Sequence, residues 1–515
     1  MSASTERKNR IAAREAGTDK KTLARQEEEK KLAKSRRQWT LGGVCVALFL
    51  VLVLLLQSGF FYNHTTAVKI GDQNHSPAEV NYYYANAYYD FANNYGSYAS
   101  IFGLDTSNGP FSLRRQECNM LENGTWRDYF LQGAYGNLAQ IQGLCSYAEA
   151  EGLALDEEQT ASLDEQMSAL KSSAEAYGYS NVDKFLAANY GTGVNAKLMR
   201  SIIANGTLAG LAYDHYSEGL SYTDEELEAY YAGLEGSSDY FDYVYYLVSA
   251  ETVAGEDGAE APTEETLIEA RASADAVLAS FQDDKDTEDM AERLSAAVEG
   301  AMDESVSIVP AHSMGSNLNA AYAEWLRDSA RKSGDVTVVE NTDGTGYYVV
   351  AYIGRDDNHY PTVSVRHILI EAEADENGAW SDEALAAAKA RAEEILAEYE
   401  SGDRTEESFA ALAEQYSTDS GSNTNGGLYE NIAKGQMVEE FDAFCFAGHK
   451  PGDTAVVYGS NGQYAGYHVV YFVGEGEQYS NVIARNALST EAVNAWLEEI
   501  TPEYTEGAFA WLAGK

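Results

Sequence analysis

The stretch Val365-Arg366-His367-Ile368-Leu369-Ile370, read with Gly466-Tyr467-His468-Val469-Val470, decides the fold of the C-terminal half of this chain. Both stretches are short apolar runs, which predict buried strands. Each strand carries one histidine, and the two histidines lie 101 positions apart. The strands open and close one compact unit, which we place at residues 361–475.

The residues between these strands predict two helices. Ser381 can cap the first helix, and apolar residues recur at helical spacing in both. They are Leu385, Ala388, Ala392, Ile395 and Tyr399 in the first helix, and Phe409, Leu412, Ala413 and Tyr416 in the second. A turn-rich loop at 420–427, a short helix at 437–446 and strands at 454–458 and 467–473 follow. This order predicts a small α+β domain on an antiparallel sheet.

An earlier segment repeats the pattern without the histidines. Tyr243–Val248 and Gly346–Val350 match the two histidine-containing stretches. Tyr246 and Tyr348, which stand where the histidines stand, are 102 positions apart. Matched ends at nearly equal spacing predict a duplicated domain. We therefore interpret residues 236–360 as a degenerate copy that keeps the fold without the site.

The N-terminal part has the features of a membrane anchor. Residues 1–38 form a basic tail, since residues 1–40 hold 12 Lys and Arg but only 6 Asp and Glu. The 21 residues from Leu41 to Phe61 carry no charge, and about 20 apolar residues can span a bilayer as a helix. No small-residue cleavage site follows, which argues against a signal peptide. We predict a single transmembrane helix at 39–62 in the cell membrane, with a cytoplasmic N-terminus and the bulk of the chain outside.

The formal net charge of the whole chain is −47. A strongly acidic body lacks the basic face that phosphate binding requires, so nucleic acid is excluded as the main partner. The lipid bilayer is the partner that the apolar segment predicts.

Residues 63–235 are predicted to form an all-helical module, in which Val68–Gly71 is read as a short strand and turn. Helix starts are marked by Ser76-Pro77, by Asp156 with Gln159, and by Thr223 with Glu226. Tyrosines at 82–89 could form a peptide-binding surface, although such residues more often pack in a core. Residues 476–515 are predicted to be a C-terminal helical segment that docks through Trp496.

The cysteine pattern gives no metal-site spacing. Cys118 and Cys145 could pair in an oxidising compartment, but two thiols at this spacing are more often unpaired. Cys445 lies in an apolar run, which favours a buried core residue over a nucleophile beside His449.

The unit at 361–475 resembles the parvulin (PpiC, rotamase) family of peptidyl-prolyl cis-trans isomerases. The resemblance is carried by Arg366-His367-Ile368-Leu369, Phe409–Ala413, Tyr416–Ser420, Gly426-Gly427-Leu428, Gly435-Gln436-Met437 with Phe441, Pro451-Gly452 and Gly466–Val470. With an anchor, a helical module and two such units, the whole chain is similar to extracytoplasmic foldases of the PrsA and SurA type, which implies that the module at 63–235 is chaperone-like. It departs from the PrsA type in its membrane anchor, because those foldases are lipoproteins.

The resemblance implies a set of site residues. The buried histidine pair of the family corresponds to His367 and His468, and the polar residue beside it corresponds to Asp419; these three are the predicted catalytic residues. The predicted substrate-binding residues are Leu428, Gln436, Met437, Phe441 and Gln463. The position of Gln463, five residues before the last histidine, is often Thr in the family.

The implied chemistry breaks no bond, so no cofactor and no metal are expected. Rotation about an X–Pro bond is slowed by a barrier of roughly 18–20 kcal/mol. An apolar pocket can hold the proline ring, while polar groups can stabilise the twisted amide better than either planar form. Metal binding by the two histidines is an alternative, but the spacing marks no third ligand.

Two functions follow. The first is a membrane-anchored extracytoplasmic foldase that isomerises X–Pro bonds in secreted or surface proteins. The alternative is a non-catalytic holdase or assembly chaperone that binds unfolded polypeptide. The expected partners in both cases are unfolded or newly translocated proline-containing polypeptides, and the oligomeric state is left open.

Overall fold

The computed structural model describes residues 3–17, 20–57, 59–254, 259–284, 288–376 and 378–514. The chain divides into two compact units, one of residues 1–220 with 491–515 and one of residues 221–490.

The first unit is mainly helical. Its helices begin at the capping residues that the sequence indicates: Ser76 Oγ accepts a hydrogen bond from Glu79 N at 3.2 Å, and Asp156 with Gln159 forms a reciprocal capping box. The N-terminal helices of this unit are α1 Ala3–Glu15, α2 Lys20–Gln57, α3 Phe60–His64, α4 Pro77–Tyr95, α5 Trp126–Glu151, α6 Glu157–Ala176, α7 Val182–Tyr190 and α8 Ala196–Glu218.

The module predicted as all-helical at residues 63–235 also contains strands, including the short one predicted at Val68–Gly71. Strands β1 Val68–Ile70 and β2 Gln73–His75 form an antiparallel hairpin. Val68 and Ile70 are buried, because alternate residues of a strand point to the same face. Tyr84 and Tyr88 of α4 are also buried in this core, so part of the tyrosine-rich segment is core.

The anchor predicted at residues 39–62 is not confirmed. Within the described residues, no helix combines the length and the apolar character that crossing a membrane requires. In this segment α2 ends at Gln57 and α3 begins at Phe60. The side chains of residues 52, 54, 56 and 57, and the whole of residue 58, lie outside the described residues.

The second unit contains two domains of the same topology. After α9 Asp224–Gly233, the first domain consists of β3 Tyr240–Ser249, β4 Thr252–Ala254, β5 Glu260–Pro262, α10 Glu264–Asp283, α11 Met290–Met302, β6 Ala311–Met314, α12 Ala323–Arg327, β7 Val336–Glu340 and β8 Gly346–Asp356. Its antiparallel sheet has the order β6-β3-β8-β7. Helices α10 and α11 pack on one face of the sheet, and α12 packs on the other.

The second domain consists of β9 Pro361–Glu371, α13 Asp382–Ser401, α14 Glu406–Tyr416, β10 Leu428–Ile432, α15 Glu439–Cys445, β11 Thr454–Ser460 and β12 Ala465–Gln478. Its sheet has the equivalent order β10-β9-β12-β11. Side chains of α13 and α14 cover one face together with Ile368 and Val469. Side chains of α15 cover the opposite face together with Val365 and Val470. The α+β class with antiparallel sheets is therefore confirmed.

Strand register corrects the predicted match between the two domains. Tyr348 and His468 each pair with a leucine of the opening strand. The residue two positions before that leucine is Tyr245 in the first domain and His367 in the second. Tyr246 instead projects from the other face, where its hydroxyl donates to a glutamate, because a shift of one residue moves a strand side chain across the sheet.

The chain ends in α16 Tyr479–Ile500 and β13 Tyr504–Glu506. Strand β13 pairs with β1, so the first unit contains a three-stranded sheet of order β13-β1-β2. Trp496 stacks on Tyr216 with 4.0 Å between ring centroids and packs among Leu144 and Ala148. The C-terminal segment is therefore docked through Trp496 but also contributes a strand.

The cysteines at 45, 118, 145 and 445 are all free. Cys118 and Cys145 therefore do not form a disulfide in this structure. Cys445 is buried in the core beneath α15, and this burial raises the pKa of its thiol to about 12. A neutral, enclosed thiol is a poor nucleophile.

Candidate active site

The two histidines meet on the sheet face that α15 covers. His367 of β9 and His468 of β12 lie on neighbouring strands, and the two residues are 3% and 4% exposed. Their Nδ1 atoms are 3.0 Å apart, and the rings stack at 26° with centroids 5.2 Å apart. The antiparallel pairing of β9 and β12 thus joins two residues that are far apart in sequence.

The loop after α14 brings Asp419 to this pair. The loop is fixed to β9, because Thr418 N donates to Leu369 O at 2.9 Å. Asp419 Oδ2 accepts hydrogen bonds from His367 Nε2 at 2.9 Å, from Ser422 Oγ at 2.5 Å and from Tyr429 OH at 3.0 Å. The carboxylate is therefore held on one side of the pair by three donors.

Gly427 allows the return of this loop against the sheet. It has φ +70°, and its carbonyl accepts from His367 N at 2.8 Å. A Cβ atom at this position would lie 2.2 Å from His367 O, which no side chain can tolerate. Only glycine permits both the positive φ and this close approach.

The hydrogen bonds assign a direction to the network when both rings are neutral. Asp419 can only accept, so His367 carries its proton on Nε2 and its Nδ1 is an acceptor. His468 must then donate from Nδ1, which leaves its Nε2 as an acceptor. Tyr464 OH lies 3.1 Å from that Nε2 and donates to it. The chain of donors runs from Tyr464 through both histidines to Asp419.

The electrostatics agree with a neutral His468. Burial, followed by the proximity of His367, lowers the pKa of His468 to about 3. The hydrogen bond from His367, with others from Ser422 and Gly421 N, holds the pKa of Asp419 well below its usual range. Burial and the nearby carboxylate raise the pKa of Tyr464, so its hydroxyl keeps its proton at neutral pH.

A cavity of about 230 Å³ opens above this network. Its walls include the rings of Phe441 and Tyr429 and the side chain of Met437. Phe441 meets the ring of His468 edge-on, with 5.1 Å between centroids. The complete lining is His367, Leu369, Asp419, Tyr429, Gln436, Met437, Val438, Phe441, Asn461, Tyr464 and His468. The cavity therefore combines an apolar wall with a polar base.

Two predicted substrate-binding residues lie outside this lining. Leu428 pairs with Arg366 across β10 and β9 and shares the α14 face of the sheet, where Arg366 Nε donates to Glu406 at 2.9 Å. Its neighbour Tyr429 lines the cavity. Gln463 is exposed, and the next residue, Tyr464, makes the contact with His468.

The sequence reasoning missed several cavity and network residues. They are Leu369, Ser422, Tyr429, Val438, Asn461 and Tyr464. Ser422 had a signal, since a serine three residues after an aspartate in a turn-rich loop can donate back to its carboxylate. Tyr464 had none, because its contact with His468 depends on the path of the β11–β12 turn.

The equivalent space in the first domain is filled by tyrosine rings. Tyr322 lies 6.0 Å from Tyr245 and 5.4 Å from Tyr348, measured between ring centroids. Tyr322 itself is only 3% exposed. These rings occupy the face on which the second domain has its histidines and cavity. The first domain thus has the sheet without the cavity chemistry.

In the part of the chain that the structure describes, no cluster of three or more His, Cys, Asp or Glu side chains could hold a metal ion. The histidine pair instead satisfies its nitrogens by hydrogen bonds within the network.

Comparison with known proteins identifies the class of this domain. Residues 347–474 match the family model of the PPIC-type PPIASE domain, starting within β8. The matched segment is a parvulin-type peptidyl-prolyl isomerase domain. It is similar to foldase protein PrsA 1 of Listeria innocua, at 32% identity over 118 residues, which is 23% of this chain and 32% of that protein. Foldase protein PrsA 3 of Bacillus anthracis is 32% identical over 117 residues, which is 22% of this chain and 32% of the relative.

This chain therefore spans about a third of the length of these curated relatives. Among solved structures, PrsA from Bacillus subtilis covers 76% of this chain and 91% of its own, at 13% identity and a TM-score of 0.28. The peptidylprolyl isomerase PrsA from Bacillus anthracis covers 28% of this chain and 58% of its own, at 24% identity and a TM-score of 0.18. Likeness at this level adds nothing to the fold described above.

Proposed function

We propose that this protein is a foldase that catalyses cis-trans isomerisation of X–Pro bonds at the cavity of its second parvulin-like domain. The observation that carries the proposal is the buried histidine pair beneath an apolar wall formed by Met437 and Phe441. The match of residues 347–474 to the PPIC-type PPIASE domain supports it. His367, Asp419 and His468 are the proposed catalytic residues.

The apolar wall acts on the proline ring. A polarisable thioether and a flat aromatic face suit a saturated five-membered ring. Enclosure also removes water from the amide. The twisted amide is the transition state of the rotation, because it has lost the resonance that the planar amide keeps. A group that binds the twisted amide better than the planar one therefore lowers the barrier.

The polar base of the cavity keeps its geometry fixed during rotation. Each nitrogen of the histidine pair has a hydrogen-bond partner, so neither ring must reorganise as the amide twists. Ala433 N donates to the side-chain oxygen of Gln436 at 3.0 Å. The NH₂ group of Gln436 is then free to donate to the carbonyl of the bound peptide. Rotation then proceeds without a nucleophile, a cofactor or a covalent intermediate.

The test is exchange NMR spectroscopy on a short peptide with one X–Pro bond, using the full chain. We expect wild-type protein to accelerate exchange and Met437→Ala to lower kcat/KM by roughly 10- to 100-fold, since burial of a Met side chain contributes roughly 1.5–3 kcal/mol. Leu412→Ala is the matched control, because Leu412 is also half-buried but packs on the opposite sheet face. Lack of acceleration by folded wild-type chain, or equal losses in both variants, would refute the proposal.

The proposal includes the site of action and the clients. The uncharged run from Leu41 to Phe61 and the basic residues before it support attachment to a membrane, with residues 63–515 outside. The clients would then be unfolded, proline-containing chains that emerge from translocation. Alkaline extraction of cell membranes and protease accessibility of the C-terminal domain test this part separately. Release at alkaline pH or full protection from protease would contradict it.

A further inference from the structure

A second cavity lies in the first unit, between α5 and the C-terminal segment. Its volume is about 470 Å³, about twice that of the candidate active site. Leu131, Tyr135, Tyr504 and Trp511 give it aromatic and aliphatic walls, and the rest of the lining includes the polar side chains of Arg127, Asp128, Gln132 and Glu506. The rings of Tyr135 and Tyr504 are 5.3 Å apart, measured between centroids. The cavity can therefore hold more than one apolar side chain.

Tyr135 brings an unused hydrogen-bond donor to this cavity. The residue is 2% exposed, and its buried hydroxyl has no hydrogen-bond partner among the described residues. Burial raises its pKa to about 12, so the hydroxyl stays protonated. A buried, unpaired donor is unfavourable, and a carbonyl oxygen that entered the cavity would satisfy it.

Strand β13 forms the rim of the cavity and is an edge strand. Gly71 N donates to Glu503 O at 3.1 Å, and Gly507 N donates to Ala67 O at 2.8 Å. Because ladder bonds in an antiparallel pair recur at every second residue, Thr505 also directs its backbone groups to β1. The backbone groups of Tyr504 and Glu506 therefore point to the outer edge of the sheet.

The two features coincide in space. Tyr504 and Glu506 both line the cavity and are exposed, like the rest of β13. A peptide strand added to this edge would bond to their outward backbone groups. Its alternate side chains would project to the same face as Tyr504 and Glu506, which is the face with the cavity.

We propose that this cavity and the edge of β13 bind an extended segment of unfolded polypeptide that has apolar side chains at alternate positions. The bound segment would add a fourth strand to the sheet β13-β1-β2, and one of its carbonyl groups would accept from Tyr135 OH. Binding here needs no proline. The inference rests on the proposed function only in taking an unfolded chain as the ligand.

The test is fluorescence anisotropy with full-length protein and a labelled, proline-free peptide that has phenylalanine at alternate positions and serine between. We expect wild-type protein to bind, and Tyr504→Ala to weaken binding by about tenfold or more, as for other central aromatic contacts. Glu506→Pro should weaken it similarly, since it removes one outward N–H but no bond to β1. Tyr135→Phe keeps the ring, so it tests the hydroxyl even where a larger change impairs folding. It should weaken peptide binding severalfold.

Thr505→Ser is the matched control, because Thr505 lies on the same strand but faces away from the cavity. It should bind as wild type does. Tyr504→Ala should retain wild-type X–Pro exchange on a short peptide, which separates this site from the isomerase cavity. The proposal is overturned if wild-type protein does not bind, if Tyr504→Ala and Thr505→Ser bind equally well, or if Met437→Ala is the variant that abolishes binding.

Discussion

Tyr464→Phe tests the hydrogen-bond network of the candidate active site with the loss of one oxygen atom. Tyr464 OH donates to His468 Nε2 at 3.1 Å, and it is the first donor in the chain that ends on Asp419. The ring remains, so the cavity wall is unchanged. Only the partner of His468 Nε2 is lost.

The magnitude follows from the burial of His468, which is 4% exposed. An unsatisfied buried acceptor costs roughly 1–3 kcal/mol, and Tyr464 is only partly buried, which favours the lower end. We expect a loss of about 1–1.5 kcal/mol in the free energy of unfolding. If the hydroxyl also positions the ring for catalysis, kcat/KM should fall by about tenfold, since about 1.4 kcal/mol corresponds to that factor.

The assays are exchange NMR on an X–Pro peptide and ¹⁵N NMR of the histidine rings, of which the chain has eight. In wild-type protein at neutral pH, the network requires that His468 carries its proton on Nδ1. Loss of the donor at Nε2 removes an interaction that favours the neutral ring, so the pKa of His468 should rise in the variant. A residue with a purely structural role would not change this titration.

Tyr467→Phe is the matched control, because this residue precedes His468 on β12 but packs on the opposite face. It should leave both the exchange rate and the tautomer of His468 unchanged. The reasoning fails if wild-type His468 carries its proton on Nε2, or if the two variants lose equal activity.

Three further outcomes are expected. Gly427→Ala should lower the free energy of unfolding by more than about 3 kcal/mol in denaturant titration, because the new Cβ would lie 2.2 Å from a backbone oxygen in a residue with φ +70°. Gly435→Ala is the control: Gly435 has φ +77° but no atom within 4 Å of the new Cβ, so this variant should lose about 1 kcal/mol. Equal losses in the two variants would contradict the close approach at Gly427. The pKa of His468 falls from 6.5 to about 3 on folding, so below pH 6.5 the unfolded chain binds a proton that the folded chain does not. The free energy of unfolding should therefore fall by about 2 kcal/mol between neutral pH and pH 5. His468→Gln should remove this component from the pH dependence of unfolding. Tyr245→His with Tyr348→His should not restore exchange activity to Met437→Ala, because a third tyrosine ring fills the equivalent cavity; recovery of the wild-type rate would refute this.

The sequence predicted the strands, because alternation along a strand is a local property, whereas the pairing of the two histidines was implied by the family resemblance. It also predicted the helix faces of the second domain, where Ala388, Ala392 and Ile395 are buried as their spacing requires. The pattern could not fix the register of the first domain. Tyr245 and Tyr246 are both aromatic, and only cross-strand pairing shows which one faces the site.

The same limit applies to the cavity. Leu428 and Gln463 are each one residue away from a side chain that lines it, Tyr429 and Tyr464. A shift of one residue reverses the face of a strand, and the resemblance that suggested these positions does not resolve such a shift. The pairing of β10 with β9 and the turn before β12 decide it.

The sequence by itself determined the α+β class, the repeated domain and the presence of His367, His468 and Asp419 in one unit. These features depend on the order and periodicity of residues, which the chain carries locally. Tertiary structure alone decided the direction of the hydrogen-bond network, the filled space in the first domain and the pairing of β13 with β1. Each of these joins residues distant in sequence, and their contacts arise only when separate elements pack together.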